Sequence, residues 1–237
     1  MVALSRRGED VLEHPNYQAY IRHVAHSLEP ALDGDYVGHS SGGTLNYPGF
    51  WAVARSAWPD DPVVGYLWRY YNGDDHTRNR RWQNYIVMQL FGFEGYRVDD
   101  WAETGLSRSW CDPRRGLLIT RSDDTEEALY FHLDARPDAV YLGHDNADRG
   151  TFTLSALGRS FVPDDQWNDF LESTDHSLVH MDGQSQVLKA PAVRMLSAND
   201  DDTFVISRAD LEYAYDWKWS KAWPSENEKY TDPWVEE

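Results

Sequence analysis

One stretch of the chain, residues 143–186, constrains the fold more than any other, because its side chains alternate along several short segments. In the run TFTLSALG, which begins at Thr151, apolar side chains alternate with hydroxyl-bearing ones. A period of two is typical of a half-buried β-strand. The run HSLVHMD, which begins at His176, places two histidines and an aspartate on one face of an extended chain. We therefore predict a β-sheet with histidines and carboxylates at its strand ends.

The same stretch opens with polar side chains at every second position. His144, Asn146 and Asp148 would share one face of an extended chain. A histidine at a strand end can titrate near neutral pH and serve in catalysis. It is more often a hydrogen-bonded structural group, and the spacing alone leaves both interpretations open.

The first hundred residues carry helical rather than alternating patterns. Helices are predicted at 11–32, 50–58, 63–71 and 82–91, with residues 59–62 forming a turn that caps the third. Packing between these helices is the simplest explanation for the aromatic residues of the region, which are Trp51, Trp58, Trp68, Tyr70 and Tyr71.

Strand patterns begin near Gly116. Strands are predicted at 117–121, 128–134, 187–197 and 203–207, with an acidic hairpin turn at 199–202. Asp182 and Gly183 are predicted to form a turn. His132 and His180 are interpreted as ordinary packing or surface residues.

The composition indicates a folded, acidic protein. Hydrophobic residues make up 41% of the 237 positions and aromatic residues 14%, which is ample for a core. The formal net charge of −18 argues against a nucleic-acid partner, because surfaces that bind nucleic acid are basic. No apolar run approaches the roughly 20 residues of a membrane span. The single cysteine, Cys111, excludes an internal disulfide.

Three pieces of the chain together resemble a known family. The run HDNADRGTFTLSALGR, then Asp164, then HSLVHMDGQSQ resembles the central β-sandwich of the heparinase II/III-like proteins, which include heparin, heparan and alginate lyases. The family carries an H-x-H-x-D-x-x-x-F motif, an aspartate at the end of the next strand, and a third strand that opens with His-Asn ahead of a V-D-G-x-x-Q segment. Ser177 stands here where the family usually has Asn. Asn146 and Asp164 are 18 positions apart, and Asp164 and His176 are 12 apart, as in the family pattern.

The resemblance implies an α+β fold class with two domains. Residues 1–100 would be the end of an (α/α) toroid, and residues 101–237 an antiparallel β-sandwich of the heparinase II/III type, incomplete at its C-terminus. The chain would then be a piece of a longer protein, periplasmic or secreted at full length, although no signal peptide is visible in it.

The resemblance also assigns roles to particular residues. His144 would face the substrate uronate, and Asn146, Asp164 and His176 would occupy the positions of metal ligands, usually for zinc. Asn146 stands where the family has histidine, and a neutral amide oxygen is a weak zinc ligand, so the metal site is weakened. Asp164 and His176 would hold the sandwich loops in register, through a metal or a direct hydrogen bond. Asp148 and Arg149 are predicted to buttress that arrangement, or Arg149 to bind substrate by pairing with a carboxylate.

The implied activity is polysaccharide lysis by β-elimination at a uronic acid, so the partner would be an acidic polysaccharide or oligosaccharide. The net negative charge then requires a local basic cleft. Two alternatives remain: a non-catalytic carbohydrate-binding β-sandwich that uses exposed aromatics such as Trp167, and a metal-dependent glycan hydrolase. Whether this piece is itself an active enzyme is left open.

Overall fold

A computed structural model describes residues 14–30, 54–55, 57–72, 98, 100–136, 148–162, 173, 176–183, 186, 194–200 and 204–215. The chain divides into two compact units, with most of residues 1–107 in the first and residues 108–237 in the second. The domain limits predicted from the sequence, 1–100 and 101–237, remain a prediction. The helix predicted at 82–91 lies outside the described residues.

Helix α1 spans Pro15–His26. It begins where the Nδ1 atom of His14 accepts a hydrogen bond from the Asn16 amide, 3.2 Å away, and where proline can occupy the first turn without losing a bond. It ends at Ser27, whose hydroxyl donates to the His23 carbonyl at 2.9 Å. Of the predicted range 11–32 the structure describes residues 14–30, and within them the helix ends earlier than predicted, at His26.

Helix α2 spans Pro62–Asn72. The Asp61 carboxylate accepts hydrogen bonds from the amides of Val63 at 2.8 Å and Val64 at 3.2 Å, which satisfies two donors that the first turn leaves unpaired. The capping turn predicted at residues 59–62 is therefore confirmed.

The helical unit has an apolar core made of small aliphatic residues and one indole. Trp101, in the 3-10 helix Trp101–Thr104, packs edge-on against His26 and Tyr66, with ring centroids 5.2 and 5.6 Å apart. Trp58 and Trp68 pack at the border of this core, as predicted. The buried core residues are Ile21, Val24, Ala25, Leu28, Ala54, Val63, Val64, Leu67 and Trp101.

The second unit contains a five-stranded antiparallel sheet in which each strand pairs with the next one along the chain. The strands are β1 (Ser109–Asp112), β2 (Leu117–Arg121), β3 (Tyr130–Asp134), β4 (Thr151–Ala156) and β5 (Arg159–Val162). A two-stranded sheet follows, made of β6 (Arg194–Asp200) and β7 (Val205–Asp210). The described residues thus contain a five-stranded antiparallel sheet and few helices. The (α/α) toroid and the β-sandwich remain predictions.

The polar face of the central strands is the buried one. Strand β4 buries Thr151, Thr153 and Ser155, each at most 2% exposed, whereas Phe152 on the opposite face is 36% exposed. The register continues this face across the sheet, because Asp134, His132 and Tyr130 of β3 stand opposite the three hydroxyl residues. The alternation predicted for β4 is confirmed, with the hydroxyls on the inner side.

The strand predicted for the run that begins at His176 is wrong. Residues 176–178 form a bend, in which the Leu178 amide donates to the His176 carbonyl at 3.0 Å. The Ser177 carbonyl accepts from the Phe152 amide of β4 at 3.2 Å, but residues 176–180 form no strand. The alternating pattern does not produce alternating burial: His176 is buried and His180 is exposed. The predicted turn at Asp182 and Gly183 is present, with φ angles of 53° and 68°.

No helix in the described ranges is both long enough and apolar enough to cross a bilayer.

Candidate functional site

The candidate site lies where β3 ends and β4 begins. A tight turn, Asp148–Gly150, leads into β4 and is held against the end of β3 by the Gly150 amide, which donates to the Asp134 carbonyl at 2.6 Å. The Thr151 amide closes the turn by donating to the Asp148 carbonyl at 3.0 Å. The turn therefore brings Asp148 to the end of β3, close to Asp134.

One arginine joins these two carboxylates. Nη1 of Arg136 lies 2.6 Å from Oδ2 of Asp134, and its Nη2 lies 2.6 Å from Oδ1 of Asp148. The Arg136 amide also donates to Oδ1 of Asp134 at 2.8 Å. The carboxylate side chains are 0% and 1% exposed, and the guanidinium side chain is 13% exposed. We call these three residues the Arg136 ion-pair network.

The network perturbs the acid–base properties of the turn. Burial, together with the neighbouring Asp134 charge, raises the pKa of Asp148 to about 7, although Arg136 and His176 oppose the rise. Burial and the charge of Arg136 lower the pKa of the Arg149 guanidinium to about 9. The two carboxylates, Asp134 and Asp148, lie close together away from water, and so do the guanidinium groups of Arg136 and Arg149. Each group therefore disfavours the charged form of its like-charged neighbour.

A second set of contacts holds the backbone of the same turn. The Gln186 side chain accepts from the Arg149 amide at 2.9 Å and donates to the Arg149 carbonyl at 2.7 Å. Its Nε2 atom also donates to the Tyr215 hydroxyl at 2.9 Å, and that hydroxyl donates to the Val179 carbonyl. The backbone amide of Gln186 donates to the Ser173 hydroxyl at 2.8 Å. We call this set of hydrogen bonds the Gln186 tie.

The glycine of the turn suits its backbone conformation, and the end of the Leu211 side chain lies where a Cβ would be. Gly150 has a φ of +82°, which residues with a Cβ rarely adopt. A Cβ at this position would lie 2.5 Å from Cδ1 of Leu211. The residues just after β7 thus pack closely over the turn.

The structure describes part of the site that the sequence predicts. His144, Asn146, Asp164 and Trp167 lie outside the described residues, and their roles stay predictions. His176 is buried, and its charge acts on Asp148.

Arg149 is 0% exposed. The substrate-binding role predicted for Arg149 remains a prediction, and its side chain is buried in this structure.

Four polar residues that the sequence interpretation did not single out build the described part of the site: Asp134, Arg136, Gln186 and Tyr215. The available signal for Arg136 was its place directly after a strand that ends in aspartate. Gln186 stood in the family motif without a role, because sequence spacing does not reveal a contact over 37 positions.

The predicted metal set fits zinc poorly. Its donors are one imidazole, one carboxylate and one neutral amide, and zinc prefers nitrogen and sulfur ligands. His176 is the member within the described residues, and there no group of three His, Cys, Asp or Glu side chains is arranged to hold a metal ion.

Comparison with solved structures gives a consistent likeness in fold. Heparan sulfate lyase HepC from Pedobacter heparinus is similar with a TM-score of 0.56 and 16% identity, over 86% of this chain and 30% of that one. Heparinase III is similar with a TM-score of 0.52 and 15% identity, over 84% of this chain and 31% of that one. A further heparinase III structure gives a TM-score of 0.54 and 15% identity, over 82% and 28%.

The chain therefore shares its fold with about a third of the length of these enzymes. No protein-family model matches the chain, and no curated protein matches it by sequence.

Proposed function

We propose that the chain is part of a polysaccharide lyase that cleaves a uronic-acid-containing glycan by β-elimination. The observation that carries the proposal is the fold likeness to heparan sulfate lyase over 86% of this chain. The ordered polar motif that begins at His144 supports it independently. The substrate class follows from the same likeness: an acidic polysaccharide, whose carboxylates need a local cationic or hydrogen-bonding site in an otherwise acidic protein.

β-Elimination at a uronic acid makes three demands on a site. The sugar carboxylate must be neutralised so that the neighbouring C5 proton becomes acidic, that proton must be removed, and the leaving oxygen on C4 must be protonated. We propose that His144 meets the first demand by donating a hydrogen bond to the carboxylate. A neutral or a cationic imidazole can do this near neutral pH.

The Arg136 ion-pair network supports this role from the same turn. His144 precedes Asp148 by four residues, and Asp148 is fixed by its pairing with Arg136 at 2.6 Å. We propose that this pairing helps to position His144, and a displacement of about 1 Å in a catalytic site can cost about 100-fold in rate. Arg149 would act as a buried positive charge.

The test is the ultraviolet absorbance of an unsaturated uronate, measured after incubation with heparan sulfate, heparin and alginate. We expect the chain to produce this absorbance with at least one glycan, and His144→Ala to lower the rate by about 100-fold or more. His180→Ala is the matched control, because His180 is an exposed histidine of the same region, and it should keep the full rate. Absence of the absorbance with every glycan would contradict lyase activity in this chain.

The two alternatives give different products. A carbohydrate-binding sandwich would retain glycan affinity without forming the double bond, and a metal-dependent hydrolase would cleave the glycan without it and lose activity to a chelator.

A bound zinc ion remains a separate proposal, with Asn146, Asp164 and His176 as its ligands. If Asn146 is the weak ligand, Asn146→His should raise zinc affinity by at least 10-fold, and the further change His176→Ala should remove the gain. Zinc titration by calorimetry measures both. An unchanged affinity in Asn146→His would contradict the metal set. A periplasmic or secreted location also remains a prediction.

A further inference from the structure

We propose that Gln186 and Tyr215 are positioning residues that fix two separate parts of the site relative to each other: the turn that follows His144, and the bend that contains His176. The importance of this position for catalysis rests on the lyase function proposed above. The geometric part of the proposal stands on the Gln186 tie alone.

The first step is the pairing between Gln186 and Arg149. The side-chain amide accepts from the Arg149 N–H and donates to the Arg149 carbonyl, at 2.9 and 2.7 Å. It thus satisfies both backbone groups of one residue, as a neighbouring strand would. Both residues are buried, so water cannot substitute for these bonds.

The second step is that Gln186 cannot rotate its amide without loss. One N–H of Nε2 serves Arg149, and the same nitrogen donates to the Tyr215 hydroxyl at 2.9 Å. The reversed amide would place an oxygen against the Arg149 carbonyl and a nitrogen against the Arg149 N–H. Tyr215 therefore helps to fix the orientation that the turn requires.

The third step connects the tie to His176. The backbone amide of Gln186 donates to the Ser173 hydroxyl at 2.8 Å, and the backbone amide of His176 donates to the Ser173 carbonyl at 3.2 Å. On the other side, Tyr215 donates to the Val179 carbonyl. The bend is therefore anchored three residues before His176 by the main chain of Gln186, and three residues after it by Tyr215, which the Gln186 side chain contacts.

The consequence is that Gln186 links the turn at Arg149 to the bend at His176, beside the backbone bond in which the Phe152 amide donates to the Ser177 carbonyl at 3.2 Å. His144 lies five residues before Arg149 along the chain. A new side chain at Gln186 removes the bonds to Arg149 and Tyr215 and keeps the main-chain bond to Ser173. We expect this change to disturb the turn after His144 and, through Tyr215, the bend of His176, without removing any group that would contact a substrate. This combination distinguishes a positioning residue from a catalytic one.

The experiment uses the full chain with three variants. Gln186→Met keeps the length of the side chain and removes its hydrogen bonds, and Tyr215→Phe removes one hydroxyl. Gln186→Glu keeps an acceptor for the Arg149 amide and loses the Nε2 donor. Gln18→Met and Tyr20→Phe make the same changes on α1 and serve as matched controls.

Two readouts are measured on each variant: the imidazole carbon–proton NMR signals of His144 and His176, and kcat and KM with the best glycan. We expect Gln186→Met to shift both imidazole signals and to lower kcat by about 10–100-fold, with KM changed by less than about 3-fold. Tyr215→Phe should act in the same direction with a smaller effect, and the controls should change neither readout.

The outcomes separate this proposal from the lyase function. If the wild-type chain forms no unsaturated uronate, the proposed function is wrong, and the imidazole signals still decide whether Gln186 positions both segments. Unchanged signals in Gln186→Met would overturn the positioning role, and so would shifted signals with an unchanged kcat in an active chain. If Gln186→Met does not fold, Tyr215→Phe provides the same test with a smaller perturbation.

Discussion

Replacing Arg136 with methionine should destabilise the second unit strongly, because one guanidinium neutralises two buried carboxylates. Methionine keeps the approximate length of the side chain and removes its charge. The variant loses two ion pairs of 2.6 Å, one to Asp134 and one to Asp148. A hydrogen bond to a charged group contributes about 1.5–3 kcal/mol, and breaking a buried ion pair from one side costs about 3–5 kcal/mol.

We expect a loss of about 3–5 kcal/mol in the free energy of unfolding near pH 8. The loss should shrink as the pH falls, because protonated carboxyl groups remain neutral in the interior and need no partner. Asp148 is the group that takes up this proton first, since its pKa is already raised to about 7 with Arg136 present. Removing Arg136 takes away the main interaction that opposes this rise.

Urea unfolding at pH 8 and pH 5 measures the effect, with Arg108→Met as the control. Arg108 also pairs with a carboxylate through two hydrogen bonds, to Asp124 at 3.0 and 2.9 Å, but its side chain is 51% exposed. An exposed pair of this kind contributes about 0–1 kcal/mol. Equal and small losses in the two variants would refute the conclusion that burial makes the Arg136 network strong.

Further predictions concern the same turn. Asp148 has a raised pKa in the folded state, so its contribution to stability is complete below its ordinary value near 3.8 and is lost as the pH rises through about 7. Relative to Asp148→Asn, the wild-type chain should gain about 2–3 kcal/mol between pH 8 and pH 5, measured by urea unfolding, and parallel pH profiles would contradict the raised pKa. Gly150→Ala should cost more than Gly105→Ala in the same assay, because both positions have positive φ angles but only at Gly150 would the Cβ meet a neighbour within 4 Å. The φ strain alone costs about 1–2 kcal/mol, so a cost at Gly150 no larger than at Gly105 would argue against close packing by Leu211.

The elements that the sequence predicted well are those in which a local pattern and the hydrogen bonding agree. Strand β4 alternates in sequence and in burial, and the turn before α2 contains an aspartate that caps the helix directly. Strand β1 was missed because its four residues, SWCD, are too short to display a period. The run from His176 alternates over seven residues, and this pattern predicted a strand. The same alternation can occur in a bend, and the contacts that hold this bend, with Ser173 and Tyr215, are not visible in the pattern.

The site was less accessible from the sequence than the fold, since its members come from distant positions. His176 was found because of the family resemblance, and the chain spacing gave no independent reason to connect it with Arg149. Asp134 ends a predicted strand and Arg136 comes just after it, but nothing in the sequence indicates that Asp148 lies beside them. The contact depends on the antiparallel register of β3 and β4, which only the folded sheet defines.

The buried hydroxyl face of β4 has a consequence for how the protein tolerates substitution. At Thr151, Thr153 and Ser155 a larger apolar side chain would increase hydropathy and yet collide with a closed interior, whereas Phe152 borders solvent and has room to change. A tolerance map of this strand, made by exchanging each residue for many others, should therefore oppose its hydropathy profile. A library that keeps the apolar residues of this strand and randomises its hydroxyl residues would contain few folded variants.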